Sequence, residues 1–281
     1  MRHFDDYEMK SRVWICNGPS EIAQTVAKWG ETTTQRVHDN NWAGRTMERW
    51  QDLPELFNSP WPEGMAEFEK VHNEIKKDVT EPVSVKRAHV WSETDGDIDV
   101  DRALRGEQEY MRTTKRKGRL APRTIILLAC VGGMANMDCR QMTLRGATVV
   151  AVMDLLEMAG YSVECWAWSR ARNSFYDKTF PDAFTGYKIK EAGQEMNVES
   201  IVKSLSGWFF RHGVLGLRHT GKNVDHGGLG QTHPIMTDRL KSFMDIDLSV
   251  QSIVMPWTDN HRAAVDAGKK IMQEVEDYQS L

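Results

Sequence analysis

The feature that most constrains the fold is the run Thr124-Ile125-Ile126-Leu127-Leu128-Ala129-Cys130-Val131, set between Pro122 and the pair Gly132-Gly133. Eight residues that are apolar on both alternating faces do not suit a strand with one side in water. They suit a strand buried between two layers, which is the pattern of parallel sheets covered by helices. The glycine pair then reads as a tight strand-to-helix turn, because Walker A spacing and the Gly-x-Gly-x-x-Gly fingerprint are both missing.

The next elements support that reading. Leu144, Ala147, Thr148, Ala151, Val152, Leu155, Leu156 and Ala159 recur at helical spacing, Gly160 ends the run, and Tyr161-Ser162-Val163-Glu164-Cys165-Trp166-Ala167-Trp168 follows as a second strand. Strand, helix and strand in this order make a βαβ unit. Further on, the pattern predicts a strand over 187–191, a helix over 198–205, a strand over 248–257 and a closing amphipathic helix over 259–278. Toward the N-terminus, Ser20 is placed to cap a helix through Trp29, with Gly30 as a left-handed terminator. Pro54, Pro60 and Pro62 break the chain, and Met65, Phe68, Val71, His72 and Ile75 then line one helix face. The expectation is therefore a mainly helical N-terminal region over 1–100 and an α/β domain over 101–281.

Composition narrows the function classes. Hydrophobic residues are 40% and charged residues 27% of the 281, an ordinary globular balance. A net charge of −4 gives no global basic field, so nucleic-acid binding would require a local patch. Cys16, Cys130, Cys139 and Cys165 are too widely spaced for a zinc knuckle or a disulfide framework, which points to buried thiols in a reducing compartment. No segment approaches the roughly 20 apolar residues of a membrane span, and the N-terminus lacks the apolar core of a signal peptide. A cytoplasmic location without a membrane partner is expected.

The run Ile125–Met134, the helix from Arg145-Gly146-Ala147 to Leu156 and the turn Ala159-Gly160-Tyr161 into Val163-Glu164 resemble a von Willebrand factor A domain, a Rossmann-like central sheet flanked by helices. The resemblance extends over roughly 100–260 to a degenerate, uncharacterised phage and bacterial group. In the metal-binding members the first strand ends in Asp-x-Ser-x-Ser, whose oxygens help to hold Mg²⁺. The corresponding positions here are Ala129, Val131 and Gly133, which offer a hard cation no side-chain oxygen. The resemblance thus implies a scaffold without its metal and no cofactor.

Three functional expectations follow. The first is a non-enzymatic adaptor that holds a protein partner at the C-terminal ends of its strands, through Gly132, Gly133, Asn136, Asp138 and Ser169. The second adds single-stranded nucleic acid, as for a phage accessory factor in transcription or replication. Arg112, Lys115, Arg116, Lys117, Arg119 and Arg123 form a basic segment, and Trp168, Arg170 and Arg172 place cations beside an aromatic ring at a strand end. The alternative is a metal-dependent hydrolase built on His219, Asp225, His226 and His233, whose spacing matches no zinc signature and whose loop is rich in glycine. No nucleophile elbow or His-Glu-x-x-His motif is present, so the leading expectation is not an enzyme. Ten tryptophans are more than one strand-helix core absorbs, and packing between the N-terminal region and the α/β half is the simplest use for them.

Overall fold

A computed structural model of the chain describes residues 1–8, 10–37, 39–78, 89–92, 97–98, 100–106, 111–114, 124–133, 137–158, 160–172, 179, 182–220, 237–247, 249–255 and 261–279. The apolar run is the centre of a six-stranded sheet. Its strands are β1 (Arg2–Asp6), β2 (Ser11–Cys16), β6 (Thr124–Cys130), β7 (Ser162–Arg172), β8 (Asp182–Lys190) and β9 (Ser252–Val254), in the order β1-β2-β8-β7-β6-β9. Both neighbours of β6 run parallel to it. Strand β8 returns antiparallel to β7, β2 runs parallel to β8, and β1 is antiparallel to β2. The sheet is therefore mixed, which the apolar pattern of β6 alone does not disclose. A second sheet of three antiparallel strands is formed by β3 (His89–Ser92), β4 (Asp97–Ile98) and β5 (Met111–Thr114).

Alternation along β6 sends Ile125, Leu127 and Ala129 to one face and Ile126, Leu128 and Cys130 to the other. The first face carries the larger core. It is covered by α1 (Pro19–Gly30), α3 (Leu53–Asn58), α4 (Pro62–Asp78), α6 (Cys139–Met158), α7 (Val198–Leu205), a helical rod over 207–219 and α11 (His261–Gln279). The opposite face has a smaller core closed by α10 (Thr237–Met244), with Leu240, Phe243 and Met244 packed on Val13, Ile15 and Phe184. Among the described residues no helix is long and apolar enough to cross a membrane.

The expected βαβ unit is present as β6, α6 and β7. Helix α6 is buried almost all round because it lies under α4, α7 and α11 as well as on the sheet. Gly160, at φ 93°, ends it in the left-handed region that glycine adopts without strain. Helix α7 begins as expected, its Asn197 side chain accepting from the Ser200 amide at 3.0 Å. Helix α1 starts one residue before Ser20, at Pro19. Gly30 does not terminate it in the left-handed region; a Cβ there would lie 2.4 Å from Trp50 Cβ, so close approach is what demands glycine. The region over 1–100 does hold helices, including the short α2 (Asn40–Ala43), but it opens with two strands of the central sheet. The sheet thus draws strands from both sides of the expected boundary near residue 100.

The tryptophans join the two parts, as their number implied. Trp61 meets Trp208 edge-on with centroids 5.9 Å apart, Trp29 stacks on His219, and Trp50 packs against Gly216. Residues of the rod 207–219 are their common partner.

Candidate functional site

Two places concentrate polar chemistry on this scaffold. The first is the C-terminal end of β6 and β7. Beyond β6 the chain passes through the buried residues Val131, Gly132 and Gly133 and enters α6 after Asp138. Asp138 accepts from the Gln141 amide at 2.8 Å, and the Gln141 side chain accepts from the Asp138 amide at 3.1 Å, a reciprocal cap on α6. From inside α6, Arg145 reaches back to the loop. Its Nη1 donates to the carbonyls of Cys130 (3.2 Å) and Gly132 (2.6 Å), and Nη2 lies 3.4 Å from Met137 Sδ.

This geometry does not fit a divalent cation. Ala129, Val131 and Gly133 bring no side-chain oxygen, and the Cys130 and Gly132 carbonyls are already engaged by a guanidinium.

The rod over 207–219 crosses this end. It consists of α8 (Gly207–Phe209), a π-helical turn Phe210–Val214 and α9 (Leu215–His219). Ser206 caps it, accepting from the Phe209 amide at 3.2 Å. The π-turn carries Arg211 and His212, both buried, and such turns recur where a helix must present particular side chains. Arg211 donates to the carbonyls of Trp42 and Met137, lies over the Trp42 ring at 4.4 Å, and brings Nη1 to 3.2 Å from Cys139 Sγ. Burial raises the Cys139 thiol pKa, and the nearby guanidinium opposes that rise only in part. His212 Nε2 donates to the Arg45 carbonyl at 2.9 Å and Nδ1 has no hydrogen-bond partner among the described residues; burial lowers its pKa.

Two turns further on, Arg218 is fully buried. Nε donates to Thr185 Oγ1 at 3.2 Å and Nη2 to the Ser169 carbonyl and hydroxyl, while among the described residues Nη1 has no hydrogen-bond partner; desolvation brings its pKa down to about 10. Among the described residues neither Arg211 nor Arg218 is hydrogen-bonded to a carboxylate. The sequence signal for these residues was present only as Arg211-His212 and Arg218-His219 within an apolar stretch, with nothing to mark them as buried.

The residues expected to meet a partner are placed differently from the expectation. Gly132, Gly133 and Ser169 are buried beneath this network, and Asp138, though exposed, is used as a helix cap. Trp168 is 4% exposed and stacks on Phe184 in the smaller core, so its ring offers no face to a base. Arg170 forms an ion pair with the buried Asp182. Arg112 lies in β5 opposite Trp91 and Asp97, and Arg172 ends β7 opposite Asp182. His219 is buried against the Trp29 and Trp50 rings, which also touch each other. Lys115, Arg116, Lys117, Arg119, Arg123, Asn136, Asp225, His226 and His233 lie outside the described residues, and among those described no three His, Cys, Asp or Glu side chains gather to hold a metal.

The second place is a cleft of about 600 Å³ at the other end of the sheet, on the face covered by α10. Ile126, Met244 and Ile246 contribute apolar lining, while Glu164, Trp166 and Lys188 bring polar and aromatic groups. Trp166 Nε1 donates to Glu164 Oε1 at 2.6 Å, and Lys188 Nζ sits 5.0 Å above the Trp166 ring and 3.8 Å from Glu164. Period two along β7 already places Glu164 and Trp166 on one face; the remaining wall comes from segments distant in sequence.

Residues 4–247 match the model of a family described as a domain of unknown function (DUF7192). No curated protein and no solved structure matches the chain.

Proposed function

Since the chain belongs to the DUF7192 family, whose description assigns no activity, we propose from its own geometry that it is a non-enzymatic binding protein on a von Willebrand factor A-like scaffold. In this reading an internal guanidinium has taken over from a metal. The observation that carries it is Arg145 Nη1 on the Cys130 and Gly132 carbonyls, beside Ala129, Val131 and Gly133. A cation that the chain supplies itself can order the loop after β6 without any exchangeable ion. Two further features support the scaffold: β6, α6 and β7 form a strand-helix-strand unit, and β9 lies parallel on the other side of β6.

Titration calorimetry with Mg²⁺, Mn²⁺ and Ca²⁺ tests this reading. No heat of binding is expected, and chelator should leave the unfolding temperature unchanged while Arg145→Gln lowers it. Micromolar metal affinity lost on substitution in the 129–138 loop would overturn it.

With Gly132, Gly133 and Ser169 buried at the strand ends, the cleft around Trp166 is the docking place we assign to a protein partner. Its apolar lining and paired charges suit a segment that inserts one apolar side chain and orients by charge. A partner retained equally by the wild type, Trp166→Ala and Lys188→Glu would exclude the cleft. Single-stranded nucleic acid rests on the sequence of the basic segment 112–123 alone. A labelled oligonucleotide titrated at increasing salt tests it, with a slope of roughly −0.7 per phosphate neutralised.

A further inference from the structure

Strand β1 ends the six-stranded sheet. Its inner side pairs with β2, and among the described residues no strand pairs with its outer side. Four of its five residues are exposed, so the outer edge offers backbone donors and acceptors to an added strand. Apolar surface collects there as well. Met1, Phe4 and Tyr7 are 45%, 38% and 77% exposed, three of the six large hydrophobic side chains exposed among the described residues.

The sequence of this edge is self-complementary. It reads Arg2-His3-Phe4-Asp5-Asp6. When a second copy is laid antiparallel about a two-fold axis through Phe4, Arg2 falls opposite Asp6 of the partner subunit. His3 falls opposite Asp5 of the partner subunit, and Phe4 meets its own equivalent.

The pairing also respects the faces of the sheet. Arg2, Phe4 and Asp6 point to the α10 side, where they meet Asp245, Phe243 and Arg239, while His3 stacks on Trp14 on the other side. Opposed residues in a perpendicular two-fold pairing keep the same parity, so each charge pair forms within one face. Moving the register by two residues sets either His3 or Asp5 against itself. A parallel arrangement in register puts Asp5 and Asp6 beside their own equivalents, and like charges directly opposite are unfavourable.

Charges usually protect an edge strand from pairing. These charges permit one closed pairing and oppose its neighbours. We propose that β1 is a homodimer interface, at which two copies join edge to edge about Phe4 to form one continuous sheet. The ion pairs that Arg2 and Asp5 already make within the chain are solvent-accessible or long, at 3.1 Å to Asp245 and 3.8 Å to Arg12, and leave both groups able to share a second partner. Asp6 is paired with Arg239 at 2.5 Å and its side chain is 13% exposed, so Arg2 of the partner subunit joins an existing ion pair there.

Sedimentation of the full chain over a concentration series tests this. The wild type should reach twice the 32.2 kDa chain mass. Arg2→Asp and Asp6→Arg should each remain monomeric, because each places like charges opposite one another twice. An equimolar mixture of the two variants should recover the dimer, since both cross-strand pairs are then opposite in sign. A wild type that is monomeric throughout, a dimer that survives both substitutions, or two folded monomers that fail to join on mixing would each overturn the proposal. Hydrogen exchange on the wild type reads the same interface without substitution: amides in 2–6 should gain protection as concentration rises, and unchanged protection in a sample that dimerises places the contact elsewhere.

Discussion

Arg218 donates from one guanidinium nitrogen to both the carbonyl (2.9 Å) and the hydroxyl (3.0 Å) of Ser169. This joins the end of the rod 207–219 to the middle of the sheet by a charged group that water does not reach. A cation in that position is stabilised by neutral dipoles alone, and desolvation is the dominant cost.

Replacing Arg218 by methionine, which keeps an unbranched stem out to the Nε position and removes the charge, should therefore change unfolding free energy by less than about 1 kcal/mol or raise it. Arg218→Ala leaves a cavity and should cost roughly 2–4 kcal/mol. Urea unfolding of the two variants checks the ordering. A methionine variant as unstable as the alanine one would show that the hydrogen bonds outweigh the buried charge.

The depressed pKa of His212 has a definite sign in the pH dependence of stability. The unfolded histidine takes up a proton near its ordinary 6.5, whereas the folded one resists because burial desolvates the ring and the Arg211 guanidinium lies close by. Its contribution is fully present above pH 6.5. It declines as pH falls from there toward the folded value, by at most about 1.4 kcal/mol per pH unit. His212→Gln should flatten that part of the profile, measured by denaturant midpoints between pH 7 and 5; an unchanged slope would assign the proton uptake to another group.

Thiol chemistry should separate the cysteines. None is in a disulfide; Cys16 and Cys165 are buried and their pKa values are pushed up to about 12, so almost no thiolate exists at neutral pH. A thiol reagent at pH 8 should label the half-buried Cys139 slowly and the other three only on unfolding. Mass mapping of the labelled peptides would detect early reaction at Cys16 or Cys165, which would contradict the packing of that face.

Gly44 sits at φ 86° with Cys139 Sγ only 2.2 Å from where a Cβ would be. Gly44→Ala combines left-handed strain with overpacking and should cost about 2 kcal/mol or more. Adding Cys139→Ala removes the sulfur and should recover part of that loss, leaving the backbone term. A double-mutant cycle with no coupling would mean that α2 does not rest on the start of α6.

Much of the α/β half was legible because one dimension of pattern suffices for it. The two-faced apolar run gave β6, the helical period and Gly160 gave α6, and the strand–helix–strand order gave β7 beside β6. The expected strand over 187–191 overlapped the second half of β8, which ends at Lys190, but its antiparallel pairing with β7 is not disclosed by the apolar pattern. Strands β1 and β2 were missed because Arg2–Asp6 carries three charges and no apolar alternation, and because Ser11–Cys16 is short. Their assignment comes from the partner, β8, which lies far along the chain.

The candidate site was less legible for a related reason. Trp166 and Trp168 are two residues apart on the same face, yet one borders the cleft and the other is covered by Phe184. Sequence reports the shared face; both rings are nearly covered, at 6% and 4% exposed, and only α10 and the chain beyond it decide which of them lines the cleft.

The pairing of β2 with β8 spans about 170 residues, and this sets an order on assembly during synthesis. Val13-Trp14-Ile15-Cys16 leaves the ribosome early, yet the strand beside which it is buried is made roughly ten to thirty seconds later at typical elongation rates. Throughout that interval a short β-prone segment has no native strand neighbour except β1, with α1 alone to cover one of its faces. The nascent chain must hold this pair in solution, by its charged first strand or by a chaperone, until the hairpin of β7 and β8 offers it an edge.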